Sequence, residues 1–353
     1  PFLLLTALAL PALAFAQGAL TPPAGAFSGG APTATMKTLD QLEPRIPLTQ
    51  PAGSTSGLTI SAPGSYYLTG NITVTSGHGI SINADNVTLD LNGFTIRSSA
   101  SPATGNAVLI NGDGALSSIA YSAITVRNGH ISGTGTVDSA SGVFSGAGFS
   151  NGIYYYSTLR SCLISDLTIN GGATDWIYLN AGSTIDRCTV TDCGITGIRG
   201  GTISNCSATL CGQTAIEGTA IFNSQGTSVS TTAIEATTAT NCIGTSKTGT
   251  GLRATQNATN CFGGSSAGTG LSAGTATNCS GTSESGMGLQ ADTATGCRGT
   301  TTSGQRGLYI IGTATDCRGK NPAAGGVALS ATIAVACTAE SGSILVVNRY
   351  NMP

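Results

Sequence analysis

The chain has 353 residues, of which 51 are glycine and only 8% are charged, with a net charge of −2. An apolar content of 40% argues against disorder, and Thr, Ser, Ala, Asn and Gly dominate where a helical protein would need Leu, Glu, Lys and Arg at helical spacing. Without a basic footprint, nucleic acid is excluded as a partner class.

The first residues, PFLLLTALALPALAFAQG, place an apolar run before Ala14-Phe15-Ala16. That is the pattern of a secretory signal and its cleavage site, so residues 1–16 are expected to direct the protein outside the cell or to its surface. The run falls short of the ~20 residues that span a bilayer, and no later segment is apolar enough, so no membrane span is expected once the signal is cleaved. The chain opens on Pro1 with no basic start, which predicts that a few residues precede it. Residues 17–35 are rich in Pro, Gly and Ala and read as a linker. In the expected cap region, 36–65, Met36, Leu39 and Leu42 share one helical face before Pro44.

From residue 66 the chain repeats. Cys188, Cys206, Cys242, Cys261, Cys279, Cys297, Cys317 and Cys337 are separated by 18, 36, 19, 18, 18, 20 and 20 residues. Ser224 fills the vacancy in the double gap, and the same slot is expected at Cys162, Gly129 and Gly93. Three residues before the slot runs an apolar column, from Ile185 and Ile203 to Ala314 and Ala334. A second column comprises Ile198, Ile216, Ile234, Leu252, Leu271, Leu289, Leu308 and Val327. Immediately before the cysteines stand Asn205, Asn223, Asn241, Asn260, Asn278, Gly296 and Asp316, residue types that tolerate a left-handed backbone, so this position is a corner. Asn side chains stacked there can hydrogen-bond from turn to turn.

A unit this short cannot bury its own apolar face, and stacking on its neighbours does so. The expected fold is all-β: a right-handed parallel β-helix (β-solenoid) of about 14 short rungs over 66–347, roughly 65 Å long at ~4.8 Å per rung, followed by a tail, 348–353. A left-handed hexapeptide helix also uses 18-residue coils. Against it, 24 residues separate Ile153 from Ile177 and 21 separate Ile177 from Ile198.

The stretch GSYYLTGNITVTSGHGISINADNVTLDLNGFTI, with TMKTLDQLEPRIPL before it, resembles the secreted bacterial right-handed parallel β-helix repeat proteins. The resemblance covers roughly residues 36–347 and implies a fold rather than an activity. That architecture is shared with pectate lyases, polygalacturonases and phage tailspikes, so function has to come from the residues.

Eleven cysteines in an exported chain raise the expectation of disulfides. Stacked one rung apart, however, parallel side chains hold their β-carbons beyond the ~3.8 Å a bridge prefers. The column therefore reads as a buried thiol ladder, with Cys193 and Cys211 the pair best placed for a bridge. No histidine accompanies it, so no metal site is expected. Of the 2 histidines, His78 in SGHGISI is similar to the Gly-His-Gly-Ile stretch of polygalacturonases but lacks the aspartates before it, and His130 occupies an outward strand position. No catalytic residue is assigned.

The candidate binding residues lie in an outward column: Tyr154, Tyr178, Arg199, Glu217, Glu235 and Arg253, continued by Ser272, Gln290 and Tyr309. The neighbouring carboxylates could form a surface charge ladder, touch carbohydrate, bind Ca²⁺ or act as acid and base. No cofactor is expected beyond that Ca²⁺. The chain reads as a structural, adhesive or surface-binding solenoid whose partner is polysaccharide, a cell-surface or matrix component, or a second copy joined through Ile344–Val347. The alternative is a polysaccharide lyase or glycoside hydrolase acting on an acidic glycan.

Overall fold

A computed structural model describes residues 45–110, 121–155 and 161–352. The expected signal, linker and helical face of Met36, Leu39 and Leu42 lie outside the described residues. Within them the chain forms a parallel β-solenoid of about 15 turns with no helix. That is one turn more than the repeat count. The difference arises because Ile46–Leu48 already pairs with Tyr66–Leu68, and Leu58–Ile60 with Ile80–Ile82. No helix among the described residues is long and apolar enough to cross a membrane.

One coil shows how the sequence makes the turn. Ile216–Phe222 is a strand bent near Thr219, Asn223 forms a corner with φ of 48°, and Gln225–Ser228 is the next strand. Each segment lies parallel to its equivalent in the next coil, with Ile216 opposite Ile234 and Gln225 opposite Ile243. The corner is left-handed all along the stack, as Asn205, Asn241, Asn260, Asn278, Gly296 and Asp316 all have positive φ. Arg187 and Ala336 adopt the same conformation without the usual residue type, so the stack imposes it there at the cost L-residues normally incur. Outside the corner the Asn side chains form a ladder. Asn241 donates to Asn223 at 3.0 Å, Asn260 to Asn241 at 3.3 Å, and Asn205 to Asp186 at 2.8 Å.

Side-chain size in the core falls along the stack. The early coils enclose Phe149 and Trp176, both fully buried, and the column through Ile185, Ile203 and Ile221. From Ala239 onward the same column is alanine, still buried, although the spacing is 18 residues both from Ile203 to Ile221 and from Ala258 to Ala276. Opposite it, Gly263 has no room for a β-carbon, since Gly270 O stands where that carbon would be. Small residues are thus required by the narrow bore rather than chosen for flexibility.

The register corrects three readings. Cys162 pairs with Ser183, and the slot of its coil is held by Leu167, opposite Gly129. Gly93 is part of the corner itself, with φ of 77° after Asn92 at 52°. Val327 pairs with Arg306, and Leu329 takes the place beneath Leu308. In each case a coil longer than the common repeat shifts the count between equivalent residues.

All eleven cysteines are buried and free, Cys193 and Cys211 included, although those two face each other in register. The column thiols bridge the corner. Cys206 Sγ donates to Ser204 O at 3.1 Å and Cys261 Sγ to Thr259 O at 3.2 Å. The same sulfur atoms accept from the preceding coil, with Cys261 N–H reaching Cys279 Sγ at 3.5 Å and Cys317 N–H reaching Cys337 Sγ at 3.3 Å. Ser224 repeats the pattern with its hydroxyl, donating to Phe222 O at 2.7 Å and accepting Cys206 N–H at 3.1 Å. The slot needs a small group that donates and accepts while filling apolar space, and a thiol does both.

Cys193 and Cys211 head a second inward column that the sequence reading did not identify. It continues through Ser228, Ser246, Ser265, Ser283 and Thr301. Ser265 Oγ donates to Gly249 O at 2.6 Å and accepts Gly268 N–H at 2.8 Å, stapling each loop to the coil beside it.

Candidate binding groove

The outward column is continuous in register. Tyr154 pairs with Tyr178, Tyr178 with Arg199, Arg199 with Glu217, Glu217 with Glu235, and Glu235 with Arg253. It runs on through Ser272 and Gln290 to Tyr309. Strand alternation explains this, since the residues on either side, such as Ile216 and Gly218, point the other way or bend.

The side chains organise themselves in pairs. Tyr154 and Tyr178 stack with ring centroids 5.1 Å apart and planes 17° from parallel. The Arg199 guanidinium lies 5.0 Å from the Tyr178 ring centroid and 3.4 Å from the Glu217 carboxylate. Arg253 reaches Glu235 at 3.5 Å. Each glutamate is therefore matched to the arginine on its outer side. Two like charges on adjacent strands repel, and this pairing offsets that repulsion. All four side chains remain between 36% and 54% exposed, so each ion pair contributes under ~1 kcal/mol.

Beside the column the bend in each strand creates a concavity. A hollow of about 400 Å³ is lined by Tyr178, Asn180, Arg199, Glu217, Thr219 and Glu235. A second, of about 240 Å³, continues it past Arg253, Ser272, Gln290 and Asp292. A third, of about 570 Å³, lies at Arg306, Tyr309 and Leu345. There the Arg306 guanidinium stands 4.2 Å from the Tyr309 ring centroid. Asn180, Thr219 and Arg306 were absent from the sequence reading. Thr219 occupies the bend, where strand alternation breaks down, and only its offset of two from Glu217 could have signalled it.

Among the described residues no group of three or more His, Cys, Asp or Glu side chains could hold a metal ion. Glu217 and Glu235 therefore offer two carboxylates to a cation without a third acid. Neither histidine lines the groove: His78 Nδ1 accepts the Asn106 N–H at 3.1 Å, and His130 lies exposed between Thr95 and Thr168. Burial pushes His78 below its ordinary pKa of 6.5, in keeping with a neutral acceptor.

Fold and groove define a parallel β-solenoid repeat protein. Comparison with protein families, curated proteins and solved structures gave no match to the chain.

Proposed function

We propose that the protein is an exported β-solenoid that holds a polysaccharide of a cell surface or matrix along its groove without turning it over. The observation that carries this reading is the unbroken outward column from Tyr154 to Tyr309, with tyrosines at both ends and charged pairs between. Tyr, Arg, Glu, Asn and Thr side chains hydrogen-bond sugar hydroxyls, and the tyrosine rings, stacked on one another or under Arg199 and Arg306, add apolar edges. A rung spacing of ~4.8 Å is close to the advance per sugar of an extended β-linked glycan. Export is supported by the signal-like run before Ala16. The resemblance over residues 36–347 supports a place near the pectate-lyase-like architecture.

A glycan array probed with and without Ca²⁺, followed by product analysis on each hit, tests the reading. Binding that Tyr178→Ala abolishes, with intact glycan recovered, is the expected result. Glu217→Gln and Glu235→Gln should change stability by under ~1 kcal/mol. Shortened or unsaturated products would replace this reading with a lyase or hydrolase. A Ca²⁺-dependent rise in melting temperature that Glu235→Gln removes would make the carboxylate pair a cation site.

A further inference from the structure

One face of the solenoid carries two outward columns made mostly of threonine, whereas the face with Thr227, Thr245, Thr282 and Thr300 carries one, interrupted by Gly264 and followed by Lys320. Thr-Ala-Thr triplets stand at 238–240, 275–277, 293–295 and 313–315, and Asn257-Ala258-Thr259 fills the one remaining coil. They lie in register, with Thr240 opposite Thr259, Thr259 opposite Thr277, Thr277 opposite Thr295 and Thr295 opposite Thr315. The alanine of each triplet is buried in the core, so the flanking side chains point out together.

Threonine suits exposed strands in general, but that preference does not explain this face. In the same coils the groove column reads Glu235, Arg253, Ser272, Gln290, and a third outward column reads Ile243, Phe262, Ser280, Arg298. Equal demand for strand formers left those two columns mixed in size and charge. Here the two columns stay uncharged, and they remain so past both ends, at Ala220 and Phe222 before and Ile333 and Val335 after. The hydroxyls are also largely unspent. Among the described residues, the bond within the array is Thr293 Oγ1 to Thr275 Oγ1 at 3.2 Å.

We propose that this face, from Thr238 to Thr315, is an ice-binding surface. Its hydroxyls repeat at ~6.6 Å along each strand, two residues of ~3.3 Å, and at ~4.8 Å from coil to coil. Rows of water oxygens on a prism face of hexagonal ice repeat at close to both intervals. Threonine is stiff at its first side-chain torsion, so each coil offers hydroxyl and methyl in one fixed arrangement. Little freedom is then lost when the array meets a rigid lattice. The hydroxyl anchors a lattice water, the methyl excludes competing mobile water, and the absence of charge leaves no tightly held hydration shell to displace.

The test measures thermal hysteresis and partition into a growing ice front for the full chain, Thr277→Lys and Gln290→Lys. Thr277 is central in the array, whereas Gln290 places the same new charge on the groove face, and melting curves establish that each variant is folded. Hysteresis and faceted crystals are expected for the unmodified chain and for Gln290→Lys, with loss of most of the effect in Thr277→Lys. An unmodified chain without hysteresis or ice partition overturns the proposal, as does a folded Thr277→Lys with full activity. Binding to powdered cellulose or chitin that Thr277→Lys abolishes, without any ice activity, also overturns it and marks the face as a docking plane for crystalline polymer. The proposal stands apart from the groove reading, since Tyr178→Ala should leave it untouched.

Discussion

The cysteine slot shows how a single residue type can recur without catalytic purpose. Cys242 Sγ lies 3.2 Å from Thr240 O and 3.4 Å from Ile221 O, the two acceptors within reach of its single proton, and Ser224 fills the equivalent place one coil earlier. Cys242→Ser should therefore fold and lose no more than about 1 kcal/mol, the scale of one altered hydrogen bond. Cys242→Asp should lose several kcal/mol, because it buries a carboxylate without a cation. Chemical denaturation of both variants checks this. The native protein should resist thiol labelling, whereas all eleven cysteines should label once it is unfolded without reductant. Burial also pushes the Cys162 thiol up to about 12 from an ordinary 9.0, and the hydrogen bond with Cys297, followed by burial, raises Cys317 to about 11. Above pH 9 the unfolded chain releases these protons and the folded one keeps them, so stability falls as pH rises. Their contribution should be complete below pH 9 and lost by about pH 12, as melting temperatures across that range would reveal.

Among the elements, the strand Ser343–Tyr350 is the most exposed to new partners. It pairs with Val327–Val335 on one side, and its other edge has no partner among the described residues. Ile344 and Val346 pack against the core, while Leu345 and Val347 are 53% and 78% exposed. A free edge carrying apolar side chains recruits another strand, so self-association through residues 344–347 is proposed here. Val346→Pro removes an edge N–H and Val347→Lys adds a charge that discourages pairing. Both should shift the protein to monomer in sedimentation. A native protein that stays strictly monomeric at high concentration would end the proposal.

On the scale of the whole molecule, stability accumulates coil by coil, because the strands of each coil pair only with those of its neighbours. Removing residues 261–278, an 18-residue unit, joins Asn260 to Cys279 and preserves the corner and slot. The shortened protein should keep its β-sheet circular dichroism and lose ~4.8 Å of length. Removing only half of that unit would place corner residues in strands and should abolish cooperative melting. The groove and the threonine face lie on different outward columns of the same coils. A full-coil deletion should therefore weaken both without abolishing either.

The repeat period, the corner residues, the inward Ile-to-Ala column and the outward Tyr154–Tyr309 column were all legible in the sequence. Each follows from strand alternation within a unit of nearly constant length, and a local rule needs no knowledge of the remainder. Where coil length changed, as around Cys162, Gly93 and Val327, counting failed, because only the hydrogen-bonded register tells which residues stand opposite. The hollow beside Glu217 was also beyond sequence reading, since it depends on a bend at Thr219 that no residue preference marks. The pairing of each glutamate with its outer arginine, rather than with a shared cation, is likewise a matter of side-chain reach in three dimensions. So is the serine column that continues from Cys193 and Cys211, because these residues end short strands and only the register shows that they stand opposite one another. Periodicity along the chain thus set the architecture, and contacts between coils decided the shape and chemistry of its surface.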